Sequence, residues 1–274
     1  MPSMINAQPL TEYLRPLLKD AEVYYDWPFN LARAEEVSGV SFSEGDSWLY
    51  KLSILKSALS EQLRNSEDPT LHLKVAKYFI SEWGGVAGNK QLERIVETTR
   101  LRAEKGKAYF DDISMDGISS WSKYLTLLHD WAPIYDSRVS YSINVINFMA
   151  GNTSQFYAMP AGRSPRLNLI DIETLFVLPL VTKGRINEQH LQHPHFSARS
   201  KKIFHIAADK TYSAYIKLLD ETALNLANEM PSNPKLNLSG RHIIEAMLFA
   251  MAPTKILSDL MSHLAKSANT SPIR

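Results

Sequence analysis

Apolar residues recur along this chain at steps of three and four, and almost nowhere do they alternate one by one. That period belongs to helices with a face turned to a core, so the expected class is mainly α. The clearest case is 48–63, where Leu49, Leu52, Leu55, Leu59 and Leu63 make one stripe. A helix over 71–83 follows the Ser66-Glu67-Asp68-Pro69 start signal and is stopped by Gly84-Gly85. Residues 89–105 read as a long charged helix with Leu92, Ile95 and Val96 turned inward. Shorter amphipathic stretches lie at 10–21 and 30–37, and further helices are expected at 137–150, 207–229 and 239–265. The least regular part is 154–200, in which 175–181 reads as a buried helix or strand.

The chain is organised around 115–139, MDGISSWSKYLTLLHDWAPIYDSRV. Asp116-Gly117 is a turn pair, and Ser119 or Ser120 is suited to cap the helix that follows. Ile118, Trp121, Leu125 and Leu128 form its apolar stripe, and Trp131-Ala132-Pro133 ends it, because proline has no N–H to donate. Asp136 then stands among Ile134, Tyr135 and Val139 at the start of the next helix, where free backbone N–H groups stabilise an anion. On spacing alone Asp136 reads first as a simple helix cap, and Asp116-Gly117 as an ordinary turn.

The order Gly117-Ile118-Ser119-Ser120-Trp121-Ser122, then Pro133-Ile134-Tyr135-Asp136-Ser137-Arg138-Val139, resembles the core of the helix-hairpin-helix DNA glycosylases, and most closely the 8-oxoguanine glycosylase-like proteins. Tyr212-x-x-Tyr215 and Ile244-Glu245-x-x-Leu248-Phe249 are weaker echoes of the same family. Ser119 stands where the second hairpin glycine is usual, and the connection before Asp136 is shorter than in familiar repair enzymes. The resemblance implies a helical fold with a cleft between N-terminal and C-terminal helices. It also implies Asp136 as the catalytic carboxylate, acting on the positive charge that builds on the sugar as the N-glycosidic bond breaks. The hairpin, with Gly117, Ser119, Ser120 and Ser122, would hold the DNA backbone, and the target base would be flipped out of the stack. Trp121 and Tyr135 are the residues it suggests for the base pocket.

Bifunctional members of that family carry a Schiff-base lysine at the position that Trp121 matches here. Two residues along a helix turn the direction by roughly 200°, so Lys123 is expected to face elsewhere, as a solvated lysine or a phosphate contact. The expected enzyme is therefore monofunctional and leaves an abasic site. Its substrate is a modified base in double-stranded DNA: an oxidised purine, in repair, or a bulky modified cytosine of phage DNA, in anti-phage defence. The rival is a non-catalytic helical DNA-binding module in which the hairpin grips phosphate and Asp136 only caps a helix. Burial of that carboxylate in an apolar pocket separates the two.

Composition narrows the picture. With 274 residues, 45% hydrophobic and 22% charged, the chain has ordinary globular character and length for a substantial core. The pattern divides it into 1–88, 89–150 and 151–274, which can equally be one continuous domain. With no cysteine there is no thiolate zinc site and no cysteine-held iron–sulfur cluster, which excludes the cluster-bearing branch of the glycosylases. The start MPSMINAQPLTEYL lacks an apolar signal region and no run reaches about 20 apolar residues, so a cytoplasmic monomer off the membrane is expected.

The net charge of +1 hides an asymmetry, because 151–274 holds 14 Lys/Arg against 9 Asp/Glu, or +5. Arg138, Arg163 and Arg166 are the expected phosphate contacts, with Arg185, Arg199, Lys201 and Lys202 as further candidates. Of the aromatics, Tyr24, Tyr25, Trp27, Trp48 and Tyr157 are also candidates to stack on an extruded base. His190, His193 and His195 are the one cluster with metal-ligand chemistry, but they lack partners at suitable spacing, so neither metal nor cofactor is expected. Gly84-Gly85-x-x-Gly88 follows a helix instead of a strand and is no nucleotide cradle.

Overall fold

A computed structural model describes all residues except 1–4, 87, 89, 163, 185, 187–191, 193–203, 232 and 271–274. The described residues are mainly helical, with a lone parallel bridge between Phe156 and His205. Among them no helix is long and apolar enough to cross a membrane.

The first half contains α1 (Gln8–Leu14), α2 (Ala21–Tyr24), α3 (Leu31–Ser38), α4 (Trp48–Arg64), α5 (Pro69–Lys77), α6 (Leu92–Ala103) and α7 (Ile118–Leu128). The single helix expected over 10–21 is split between α1 and α2, and Pro16 stands in the break. Elsewhere the start signals act as read. Asn30, Ser47 and Asp68 each accept a backbone N–H at the head of α3, α4 and α5. Past α5 the chain widens into a π-type turn, Tyr78–Trp83, before the two glycines. In α6, Val96, Thr99 and Ala103 are the buried positions, while Leu92 and Ile95 are half-buried.

The second half adds α8 (Ser137–Met149), α9 (Ile172–Thr182), α10 (Thr211–Asn225), α11 (Gly240–Met251) and α12 (Leu257–Thr270), with a second π-type turn, Ala252–Ile256, joining the last two. Residues 175–181 are thus helical. α8 is buried on all sides from Val139 to Asn147 and packs against α1, α9, α11 and α12. Its polar groups find backbone partners: Ser142 donates to Leu248 O, and Asn144 pairs with both N and O of Tyr157. α7 packs on α4 and α6 and along the turn after α5. The buried apolar residues form one cluster from Ala7 to Leu260, drawing on all three parts expected from the pattern.

Candidate active site

The site begins with the glycine that starts α7. Gly117 has φ 66°, a left-handed conformation open to glycine at little cost, and a Cβ there would meet Ile95 Cδ1 at 3.3 Å. Gly117 itself is the N-cap, its carbonyl accepting from Ser120 N and Trp121 N, so neither Ser119 nor Ser120 caps the helix by its side chain. Every residue from Ser120 to Leu127 is buried. α7 therefore has no solvent face along that length.

Lys123 is where the sequence reading and the structure part. It is fully buried, not solvated, and its Nζ donates to Ser119 O at 3.0 Å and to Asp136 Oδ2 at 3.2 Å. The turn away from Trp121 is real, but it points Lys123 to a second interior surface. Its stem passes so close to Gly84 that a Cβ there would lie 2.6 Å from Lys123 Cε and 2.8 Å from Ile80 O. Gly84 thus does more than stop a helix.

Asp136 arrives on a connection held from several sides. Ser122 Oγ accepts from Tyr135 N and donates to Tyr135 O. Tyr212 donates to Pro133 O and Tyr215 to Ile134 O, each at 2.9 Å. Ile134 N donates to Glu245 Oε2 at 2.8 Å. The two weak C-terminal echoes, Tyr212-x-x-Tyr215 and Glu245, are therefore the groups that position the carboxylate. Asp136 caps α8 through Oδ1, accepting from Arg138 N at 3.0 Å and Val139 N at 3.1 Å, and this leaves Oδ2 for Lys123. It is 7% exposed.

The pair lies in a cavity of about 600 Å³. Trp27 and Phe249 line it in a T-shaped contact of 4.9 Å between ring centroids. Gly84, Gly85, Ser119 and Ser137 complete one part of the lining, and Gly162, Ser164 and Pro165 another. The Arg138 guanidinium sits 4.3 Å from the Trp27 ring centroid and 4.9 Å from that of Phe249. Burial lowers its affinity for its proton, and the Asp136 charge opposes that effect. Arg138 Nη1 and Trp27 Nε1 are buried donors with no acceptor among the described residues. Buried donors normally have partners, so the cavity is supplied with groups suited to an acceptor-bearing ligand.

Of the expected site residues, Asp136, Lys123, Arg138 and Ser119 meet at this cavity. Trp121 and Tyr135 do not line it. Trp121 packs edge-on against Tyr212 at 4.8 Å, and Tyr135 is fully buried against Tyr215 with its hydroxyl donating to Ala158 O. Both belong to the core because Trp121 packs between Phe110 and Tyr212, and the clamp on 133–136 turns Tyr135 inward. Ser120 and Ser122 are buried, and Ser122 is spent on that clamp. Gly117 is exposed at the head of α7 and Arg166 is exposed. Arg163, Arg185, Arg199, Lys201, Lys202, His190, His193 and His195 lie outside the described residues. Phe249 and Trp27 are the aromatics that meet the pair, and only contact across 222 residues of sequence joins them, for which no local signal exists. No known protein family, characterised protein or solved structure matches this chain.

Glu245 gives a test of this arrangement. Burial pushes its carboxyl up from 4.5 to about 7, opposed by Lys56 and by the Ile134 N–H. A raised value means the folded state holds the proton more tightly, so stability is greatest below pH 4.5 and falls as pH rises to about 7. Glu245→Gln should remove that slope, worth roughly 3 kcal/mol across the window. Urea unfolding at several pH values measures it, and parallel profiles for variant and wild type would refute the assignment.

Proposed function

We propose that the protein is a DNA N-glycosylase with Asp136 as its catalytic carboxylate. The observation that carries this reading is the buried Lys123–Asp136 pair in a cavity walled by Trp27, Phe249 and Arg138. A helix cap alone needs one carboxylate oxygen. Asp136 turns its second oxygen to an amine inside a cavity that holds two unpartnered donors. A helical DNA-binding module, the rival, has no use for such a pair.

In this reading the extruded base enters the cavity against the Trp27 and Phe249 wall, and Arg138 Nη1 donates to an acceptor on the base. Asp136 stabilises the cationic sugar as the bond from C1′ to the base nitrogen breaks with its electron pair leaving on the base. Water oriented by Asp136 then adds at C1′, loses a proton and leaves an abasic site. Double-stranded DNA carrying a modified base is the partner, with the helix-hairpin-helix element at Gly117 against the backbone. A cavity of about 600 Å³ leaves room for a substituent on the base, which favours a bulky modified cytosine over an oxidised purine. Incubation with DNA carrying each type of base, followed by alkali to cut abasic sites, tests this. Strands that stay intact on every such DNA would sink the glycosylase reading.

The position of Lys123 favours a second reading, in which its amine is the nucleophile. Nζ, having given up a proton, bonds to C1′ as the base leaves. The sugar ring opens to a Schiff base, and loss of a 2′ proton expels the 3′ phosphate, nicking the strand.

DNA affinity should depend on salt through the second half of the chain. Each cation that neutralises a phosphate contributes about 0.9 to the log–log slope. Replacing Arg163 and Arg166 together by Ala is expected to flatten the slope by up to about 2 and weaken binding to all sequences alike, since phosphate contacts carry no base information. An unchanged slope would move the DNA to α6, with Arg94, Arg100 and Arg102 on it.

A further inference from the structure

A second cavity, about 620 Å³, opens between α4, the end of α7 and the start of α11, and shares no lining residue with the Asp136 cavity. Lys56, Ser60, Arg64, Thr126, Asn237 and His242 are among its walls. Lys56 is 6% exposed, and its Nζ makes one hydrogen bond, to Thr126 Oγ1 at 3.1 Å. No carboxylate among the described residues lies within ion-pair distance of it; burial lowers its hold on its proton, opposed from further away by Glu245 and Asp130. A buried ammonium with two protons unassigned is costly unless an acceptor, best an anionic one, meets it.

The other walls bear on what that acceptor is. His242 is committed, its Nδ1 facing Ser239 Oγ and its Nε2 near Ala132 O and Thr126 Oγ1. Burial holds it well below its ordinary value, so it enters as a neutral ring. Arg64 is half-exposed and bonds Asp130, which engages one face of its guanidinium and balances its charge. Glu61 is the remaining acid in the lining. Lys56, Ser60 and Arg64, four residues apart on α4, thus line one wall of the cavity, and Thr126 of α7 meets Lys56. Among the described residues no Phe, Tyr or Trp lines the cavity, and the His242 ring is held at both nitrogens, so there is no broad platform on which a nucleobase would stack. Compact donors around a buried amine, without a stacking surface, suit a tetrahedral oxyanion.

We propose that this cavity is a binding site for a phosphate group, with Lys56 as its central cation. The space exceeds a bare phosphate, so a small phosphomonoester such as a sugar phosphate fits as well as the inorganic ion. Glu245 lies electrostatically between the cavities, since Lys56, Asp136 and Lys123 all act on it.

The test is thermal unfolding and calorimetric titration of the full chain with inorganic phosphate, ribose 5-phosphate and, separately, a short duplex lacking terminal phosphates. Lys56→Met keeps the length of the side chain and removes the charge. Wild type should bind inorganic phosphate or ribose 5-phosphate, and Lys56→Met should weaken that binding about 10-fold or more. Tighter binding of ribose 5-phosphate identifies an organic phosphate as the ligand, and equal binding the free ion. Should Lys56→Met fail to fold, ring-proton spectra of wild-type His242 serve instead, because phosphate at this site shifts them and phosphate elsewhere does not. Equal affinity in wild type and Lys56→Met, an unmoved His242 signal, or binding by the duplex alone overturns the proposal.

Discussion

Asp136→Asn is expected to lower base release by about a thousandfold or more while DNA binding stays near wild type. The amide keeps the shape and keeps one oxygen for Arg138 N and Val139 N, so the cap on α8 survives. What is lost is the negative charge that faces Lys123 at 3.2 Å and, on the glycosylase reading, the charge that faces the sugar. Removing one member of a buried pair costs about 3–5 kcal/mol, because the other is left uncompensated. A loss of activity through unfolding must therefore be separated from a loss of chemistry. The double variant Asp136→Asn, Lys123→Met does this. It leaves no lone buried charge, so its stability should recover most of the single variant's loss, while base release stays absent. Wild-type turnover in Asp136→Asn, measured on DNA carrying the responsive base and cut with alkali, would end the catalytic assignment.

The second large effect is at Lys123. With water as the nucleophile, borohydride added during turnover traps no protein–DNA adduct and the strand stays intact until alkali is added. With Lys123 as the nucleophile, it traps a covalent adduct with wild type and none with Lys123→Met, and the nicked product disappears with the adduct. Lys123→Arg makes the control, since a guanidinium keeps the charge beside Asp136 but does not form a Schiff base. If no adduct forms with wild type and Lys123→Arg keeps base release, water is the nucleophile and Lys123 holds Asp136 in place. Lys123→Met should also unfold more easily than Lys123→Arg, for the reason that applies to Asp136.

Much of the helical frame was legible because each amphipathic stretch carries its own signals. The stripe of five leucines gave α4, and Asn30, Asp68 and Asp136 cap the helices they precede. Asp136 as a buried cap beside a helix start could likewise be read from its apolar neighbours. Lys123 could not. On a surface helix, with one inward face, a residue turned away from Trp121 would meet water. α7 is buried on every side through its middle, so a direction away from Trp121 leads to another interior wall and not to water. Gly84 looked like a helix stop and also makes room for the lysine stem. Trp27 was one of several stacking candidates and Phe249 part of a weak echo, but nothing local joins them, because their meeting is set by how α11 docks on the N-terminal part. Pro16 was a break signal in plain view inside a stretch taken as one helix.

The clamp on Pro133 and Ile134 has a consequence for when this site exists. Its hydrogen bonds reach across 79, 81 and 111 residues, to Tyr212, Tyr215 and Glu245. Contacts of such separation form late, since the loops they close are long. A nascent chain that has emerged through α8 already contains Lys123 and Asp136, but of the groups that fix the backbone between them it holds Ser122 and lacks Tyr212, Tyr215 and Glu245. The two charges acquire their working geometry only when the last third of the chain has been synthesised and has docked. A ribosome stalled midway, or a protease that removes the C-terminal helices, thus yields a fragment in which the Lys123–Asp136 pair is not held in place.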